Sequence, residues 1–129
     1  MKDNKYFKLD EFKCKHCGQI PNGNPPDELI DVLCEIREHF NKPLIIRSGY
    51  RCPAHNQAVG GAKNSFHTKG NAVDFTIKDI KTIEVYNYVI KVYGDRLFGI
   101  AKKINPNNEY GGFIHLDTRG YKARWDYKW

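Results

Sequence analysis

The segment 70–77 (GNAVDFTI) alternates between the two faces of an extended chain, and this pattern constrains the fold more than any other part of the sequence. Asp74 and Thr76 point to one side of such a strand. The apolar residues point to the other side: Val73, Phe75 and Ile77. A strand of this kind needs an apolar layer against one face only, so the aspartate looks away from the core. The segment therefore predicts a sheet that is covered by helices on one side.

Helical periodicity elsewhere supplies the covering layer. Apolar residues recur at three- and four-residue intervals in 27–40 and in 81–93, so both segments should form amphipathic helices. A shorter helix is expected near 55–59, where Gly60 and Gly61 stop it. Because helices and strands follow one another without a regular βαβ repeat, we expect an α+β fold, a small antiparallel sheet with helices packed on one side. Further strands are predicted at 43–51, 97–100 and 112–118.

The length of 129 residues suits one domain, which should bury roughly two-thirds of its unfolded surface. We expect a single domain over residues 1–129, with a cysteine-containing N-terminal segment over 1–26. No window approaches the roughly 20 apolar residues of a membrane span. The first residues lack the apolar run of a secretory signal. We therefore expect no membrane insertion and no export signal. We also expect a monomeric protein.

The formal net charge of +6 suits a polyanionic partner, such as nucleic acid, an anionic membrane surface or an acidic cell-wall polymer. Charge alone does not choose among them. The basic residues are scattered, and short clusters such as Lys102–Lys103 are typical of a solvated surface. We therefore expect no nucleic-acid partner. A nucleic-acid-binding protein of this kind would bind DNA independently of sequence and with strong dependence on salt.

Four cysteines lie in the first half of the chain. Cys14 and Cys17 have the spacing of half a zinc knuckle. No second close pair follows, so a four-ligand site would need Cys34 and Cys52 from separate elements. Three states are open: a structural metal bound by four thiolates or by three thiolates and an imidazole, one or two disulfides, or four free thiols.

A second group of metal-binding residue types consists of His67, Asp74 and His115. Two imidazoles and one carboxylate form the ligand set of a catalytic zinc ion, which keeps one position open for water or substrate. Asp74 lies on the alternating strand, and His115 lies on a later predicted strand with Asp117 on the same face. If the two strands pair, these side chains share one cleft, which His67 reaches from the preceding loop. Such a convergence predicts a zinc-dependent hydrolase.

The chain carries three motifs: SGYRCP at 48–53, SFHTKGNAVD at 65–74 and FIHLDTRG at 113–120. The first two are specific when they occur together. With Asn56 and the segment 59–61, the motifs make the chain resemble peptidase family M15, and within it the branch of the zinc D-Ala-D-Ala carboxypeptidases and related phage endolysins. The resemblance runs from about Phe7 to Trp125. It implies an α+β fold of the hedgehog and D-Ala-D-Ala-peptidase type.

The resemblance also implies roles for individual residues. It makes His67, Asp74 and His115 the zinc ligands. It places Arg51 near the scissile carbonyl, where a fixed guanidinium can stabilise an oxyanion or hold a substrate carboxylate. One departure from the family pattern concerns the general base. Several branches carry Glu or Asp three residues before the last zinc histidine, and this chain has Gly112 there.

Other branches place a histidine two residues before the last ligand, where this chain has Phe113. Two carboxylates elsewhere in the chain are candidates for the missing base. Asp117 lies beside His115 on the same strand face, so it can accept a proton from the attacking water or orient the ligand. Glu109, in the turn before the strand, is the second candidate.

The sequence thus predicts a zinc metallopeptidase that cleaves peptides containing D-amino acids in peptidoglycan, either as a carboxypeptidase or as an endopeptidase. The alternative is a non-catalytic cell-wall-binding or phage structural module that retains zinc, and Gly112 makes it credible. In the absence of a signal peptide, we expect a cytoplasmic protein, or one encoded by a phage or prophage and released to the cell wall.

Overall fold

The computed structural model describes residues 1–129, and the α+β class expected from the sequence is confirmed. The strands are β1 Leu44–Ser48, β2 Ala72–Ile77, β3 Gly99–Asn105, β4 Asn108–Asp117 and β5 Ala123–Asp126. They form one sheet in the order β1-β2-β4-β3-β5. The α-helices are α1 Asp27–Phe40, α2 Pro53–Ala58 and α3 Thr82–Tyr93, and two 3-10 turns span Leu9–Phe12 and Phe66–Lys69.

The bounds of the long helices follow from the residues at their ends. α1 starts after Pro26, and the carboxylates of Asp27 and Glu28 lie in its first turn, where they offset the positive end of the helix dipole. The residue that caps its other end, Asn41, has a φ of 51°, a left-handed conformation that asparagine tolerates. These bounds match the predicted helix 27–40, and α3 begins one residue later than predicted.

The sheet differs from the expected antiparallel sheet in one pairing. The pairs β1–β2, β2–β4 and β3–β4 are antiparallel, whereas β5 pairs in parallel with β3, so the sheet is mixed. The strand β5 was not predicted, because its four residues are too short for an alternation to stand out. The strands β3 and β4 are also longer than the predicted segments 97–100 and 112–118, since they continue into a hairpin.

The two faces of the sheet meet different surroundings. On one face, Val73 and Phe75 belong to an apolar cluster of 18 buried residues to which α1 and α3 contribute. Phe7 and Phe12 join the same cluster, so the N-terminal segment is packed onto the core. The opposite face carries Asp74 and forms part of the wall of a polar cleft, and α2 lies at the border of this cleft. None of the helices combines the length and apolar character needed to cross a membrane.

Candidate metal centre and cleft

The three predicted metal ligands meet on the polar face of the sheet. Asp74 of β2 lies directly opposite His115 of β4 in the antiparallel register. His67 comes from the 3-10 turn that follows Ser65, whose hydroxyl oxygen accepts a hydrogen bond of 3.1 Å from the His67 amide. The three residues are buried, and their ligating atoms all lie within 4.8 Å of one another. We refer to His67, Asp74 and His115 as the histidine cluster.

Each imidazole of the histidine cluster has one nitrogen inside it and one outside. His67 Nε2 lies 3.2 Å and His115 Nδ1 3.0 Å from Asp74 Oδ1. The outer nitrogens face oxygen acceptors. His67 Nδ1 lies 2.8 Å from the Gly49 carbonyl oxygen, and His115 Nε2 lies 2.6 Å from Asp117 Oδ2. An outer acceptor holds the proton of a neutral ring, which leaves the lone pair of the inner nitrogen available to a cation. The donor set therefore fits a zinc ion.

The cluster keeps its carboxylate ionised. Burial alone would raise the pKa of Asp74, but the hydrogen bonds with His115 and His67 hold that pKa below its ordinary value. For His115, burial favours the neutral ring, whereas the hydrogen bonds with Asp117 and Asp74 outweigh it and raise the pKa. Protons and a cation compete for this ring, so metal binding should weaken as the pH falls.

Asp117 lies on the other side of the His115 ring from Asp74, and both of its oxygens are occupied. Its Oδ1 accepts from the Gly99 amide (3.1 Å), the Arg119 amide (3.1 Å) and Arg119 Nε (2.8 Å). Its Oδ2 accepts from Arg119 Nη2 at 2.7 Å as well as from His115. Burial raises the pKa of Asp117, but the bonds from Arg119 and His115 lower it below the ordinary value. A carboxylate held in this way is suited to orienting a ligand.

Glu109 and Gly112 do not supply a carboxylate to the cluster. About six residues of extended strand separate Glu109 from His115, a span of roughly 20 Å at about 3.4 Å per residue. The exposed carboxylate of Glu109 instead lies 3.6 Å from the Lys81 ammonium. Gly112 has a φ of 72° beside the register shift between β3 and β4, and a Cβ there would overlap the carbonyl oxygen of Lys103. The backbone therefore requires glycine at the position where other branches carry the base.

A cleft of about 510 Å³ opens beside the histidine cluster, with Asp74 and Arg51 in its wall. The amide of Arg51 donates to the carbonyl of His67 at 3.0 Å, which ties this arginine to the turn that carries the ligand. Its Nε is buried and has no hydrogen-bond partner in the protein. Asp74 is the only carboxylate among the lining residues, which include three further cations: Lys15, Arg47 and Lys103. Such a cleft attracts anions.

Sequence reasoning missed Arg119, and no local pattern decides whether Trp125 belongs to the core or lines a peptide cleft. The guanidinium of Arg119 holds Asp117 and also lies 4.7 Å from the centroid of the Trp125 ring. Trp125 in turn packs against His115, with ring centroids 5.1 Å apart. The spacing of Asp117 and Arg119 at the end of a strand was a usable signal, because residues two apart lie on one face.

Sequence reasoning also missed two residues of the cleft wall, His55 and Tyr127. Tyr127 follows β5, whose pairing with β3 brings it to the sheet face of the histidine cluster. Burial raises the pKa of Tyr127, so its hydroxyl stays protonated and can donate a hydrogen bond to a bound molecule. No local signal indicated the place of Tyr127, because the strand that precedes it was not recognised.

The chain is thus a small α+β protein with a candidate metal centre on paired strands beside a cationic cleft. The family model of Peptidase M15 matches residues 5–117, which is most of the chain, so the chain belongs to this family. Membership supports a peptidase of the metallopeptidase type, and the peptidases of this family generally depend on zinc. No curated protein matches the sequence.

Proposed function

We propose that the chain is a zinc metallopeptidase that cleaves peptides containing D-amino acids in peptidoglycan, as a D,D-carboxypeptidase or a cell-wall endopeptidase. The observation that carries the proposal is the meeting of His67 Nε2, Asp74 Oδ1 and His115 Nδ1 beside a cationic cleft. The three sequence motifs support the branch of D-Ala-D-Ala carboxypeptidases and related phage endolysins, and hence this substrate class.

The histidine cluster would hold the zinc ion through these three atoms. When bound, zinc supplies Lewis acidity that lowers the pKa of a water molecule and polarises the scissile carbonyl. The contribution of the surrounding protein is to fix the two rings. The Gly49 carbonyl holds the His67 ring, and the Asp117 carboxylate holds the His115 ring. We therefore propose Asp117 as a positioning residue, which acts through His115.

Arg51 would act on the substrate directly. It lines the cleft, and its backbone is tied to His67. A fixed guanidinium suits the carbonyl oxygen that becomes negative during attack, where a preorganised donor contributes typically about 3–4 kcal/mol. Arg51 can alternatively hold a substrate carboxylate in a bidentate contact.

The charge of the cleft supports an anionic peptide as the substrate. Lys15, Arg47 and Lys103 line it together with Arg51, and Asp74 alone opposes them. The stem peptides of peptidoglycan carry free carboxylates, so a cationic cleft would bind them in preference to neutral peptides. Binding to nucleic acid is not part of the proposal, and a monomeric state stays a prediction.

We propose an acceptor other than Asp117 and Glu109 for the proton of the attacking water. The first is held by donors at both oxygens, and the second lies at the far end of β4. An imidazole is the commonest general base in enzymes, and His55 lines the cleft. We assign the proton to His55, with His55→Gln as the test of this step: activity should fall while the zinc content of the histidine cluster is unchanged.

The test of the function compares matched substrates. The purified protein is incubated with a stem pentapeptide ending in D-Ala-D-Ala, with the same peptide ending in L-Ala-L-Ala, and with cross-linked peptidoglycan. Mass spectrometry of the products should show cleavage of the D-containing substrates alone, and show whether the terminal D-Ala or the cross-link is cut. Chelation should stop cleavage, and added zinc should restore it. Full activity in a metal-free sample would overturn the proposal.

A second candidate function is a cell-wall-binding or phage structural module that retains zinc without turnover. The specific observation in its favour is the geometry at Gly112, which excludes a carboxylate at the usual place of the base. In the same experiment this module would sediment with peptidoglycan and leave every peptide intact. Binding lost in His67→Ala, without any cleavage by the wild type, would favour it over the peptidase.

A further inference from the structure

Three of the four cysteines come together away from the histidine cluster. Cys14 and Cys17 lie in the loop after the 3-10 turn Leu9–Phe12, and Cys52 caps the start of α2. Their sulfur atoms all lie within 4.8 Å of one another. Cys34 lies on α1, is not a member of this group, and has a pKa that burial raises. We refer to Cys14, Cys17 and Cys52 as the cysteine cluster.

Backbone amides point at the sulfur atoms of the cluster. The Cys52 amide donates to Cys14 Sγ, and the His55 amide donates to Cys52 Sγ, each at 3.4 Å. The loop between the two N-terminal cysteines closes through a 2.8 Å hydrogen bond from the Gly18 amide to the Cys14 carbonyl. Amides that donate to sulfur stabilise the thiolate, which is the form that binds metal.

The number of cysteines in the cluster favours a metal over a disulfide. All four cysteines of the chain are free thiols, and one disulfide within the cluster would leave its third sulfur unpaired. Three thiolates within 4.8 Å of one another would repel unless a cation lies between them. The spacing of Cys14 and Cys17 is that of zinc-binding loops, and three thiolates select a soft or borderline cation such as Zn²⁺.

We propose that Cys14, Cys17 and Cys52 bind a second, structural zinc ion, which fastens the N-terminal segment to the loop that carries Arg51. The fourth position is left to a water molecule or to the neighbouring His16, whose ring stacks on that of His55 with centroids 6.0 Å apart. The proposal stands on the cysteine cluster alone and does not depend on the peptidase activity.

The segments joined by this ion are the ones that position the histidine cluster. The Tyr50 amide donates to the Phe12 carbonyl at 2.8 Å, and a Cβ on Gly49 would lie 2.6 Å from that same oxygen, so the two segments are in close contact. The Gly49 carbonyl holds the ring of His67, and the Arg51 amide bonds the backbone of His67. A metal in the cysteine cluster would therefore stabilise the loop on which the first site depends.

The test measures zinc per chain by mass spectrometry of purified, folded proteins. The wild type should carry two zinc ions, and Cys14→Ser and Cys52→Ser should each carry one. Cys34→Ser is the matched control, since it removes a thiol outside the cluster, and should keep two. His67→Ala should lose one ion and retain the ion of the cysteine cluster.

Cobalt substitution of the wild-type protein makes the test independent of whether the serine variants fold. Thiolate-bound Co²⁺ absorbs strongly in the near ultraviolet through charge transfer, whereas imidazole and carboxylate ligands do not produce this band. The band should be present in the wild type and in His67→Ala, and chelation should free three further thiols for reaction with a thiol reagent. A wild type without the band, or a disulfide within the cluster in freshly purified protein, would overturn the proposal. An inactive enzyme with the band intact would count against the peptidase alone.

Discussion

The two groups of ligand residues in this molecule are built on different supports. In the histidine cluster, Asp74 and His115 stand on paired neighbouring strands, and all three members are buried. The cysteine cluster instead joins an N-terminal loop to the start of a six-residue helix, and Cys17 is exposed. Paired strands keep their side chains at a fixed separation without help, whereas loops need a partner to hold them together.

This difference predicts what a metal would do in each place. The histidine cluster is oriented by protein groups, and its Asp74 lines the cleft, so a bound cation would lie next to the space for a substrate. The cysteine cluster is surrounded by backbone amides, so a bound cation would contribute mainly to stability. Four substitutions test the chemical role that this comparison assigns to the histidine cluster and its surroundings.

The largest effect is expected for Asp74→Asn. The variant weakens the metal site while nearly preserving the shape of the side chain, and Lewis-acid catalysis is worth several kcal/mol. Because each step of about 1.4 kcal/mol is tenfold in rate, cleavage of the D-containing peptide should fall by about 10³-fold or more. The Cys34→Ser protein serves as the control. Activity within tenfold of the wild type would place the chemistry elsewhere.

Next in size is Arg51→Ala, which removes the proposed oxyanion donor. The turnover number should fall by about 10² to 10³-fold, as for the loss of one such donor in other enzymes. The zinc content should be unchanged, because no ligand is removed. A rise in KM at constant kcat would instead assign Arg51 to binding a substrate carboxylate.

Asp117→Asn should have a smaller effect, and one that excess metal corrects. Loss of an orienting carboxylate typically lowers zinc affinity by about 10 to 100-fold, so activity should recover as zinc is added. The exposed Asp126, which pairs with Lys102 at 2.6 Å, provides the control Asp126→Asn. If Asp117→Asn stays inactive at saturating zinc with its fold intact, Asp117 is more than a positioning residue.

The smallest effect is expected for Glu109→Gln. The side chain is exposed and pairs only with Lys81 at 3.6 Å, a type of pair worth up to about 1 kcal/mol. Activity should stay within about twofold of the wild type and thermal stability should barely change. A large loss of activity would restore Glu109 as the general base and contradict the distance along β4.

Local patterns predicted the elements that have a clear period. The helix 27–40 and the two-faced strand around Asp74 follow from the spacing of their own side chains, and the structure has both. The strand β5 has four residues and could not be read in this way. Its parallel pairing with β3 depends on a distant segment, so the places of Trp125 and Tyr127 could not be predicted from local spacing.

Residue types and strand geometry also predicted that His67, Asp74 and His115 could converge, with Asp117 on the face of His115. These inferences need only the period of two of a strand and an antiparallel pairing. The tasks of the carboxylates could not be predicted in the same way. Whether a carboxylate is free to take a proton depends on its donors, and those of Asp117 come partly from Gly99, on another strand.

Local period and residue chemistry therefore establish the α+β class, the two faces of the central strand and the residue types that can bind a metal. Three further features follow from tertiary contacts. Both oxygens of Asp117 accept hydrogen bonds, the Gly112 position has no room for a side chain, and Cys14, Cys17 and Cys52 come together from segments far apart in the chain. Each depends on contacts between distant segments, and local spacing carries no information about those contacts.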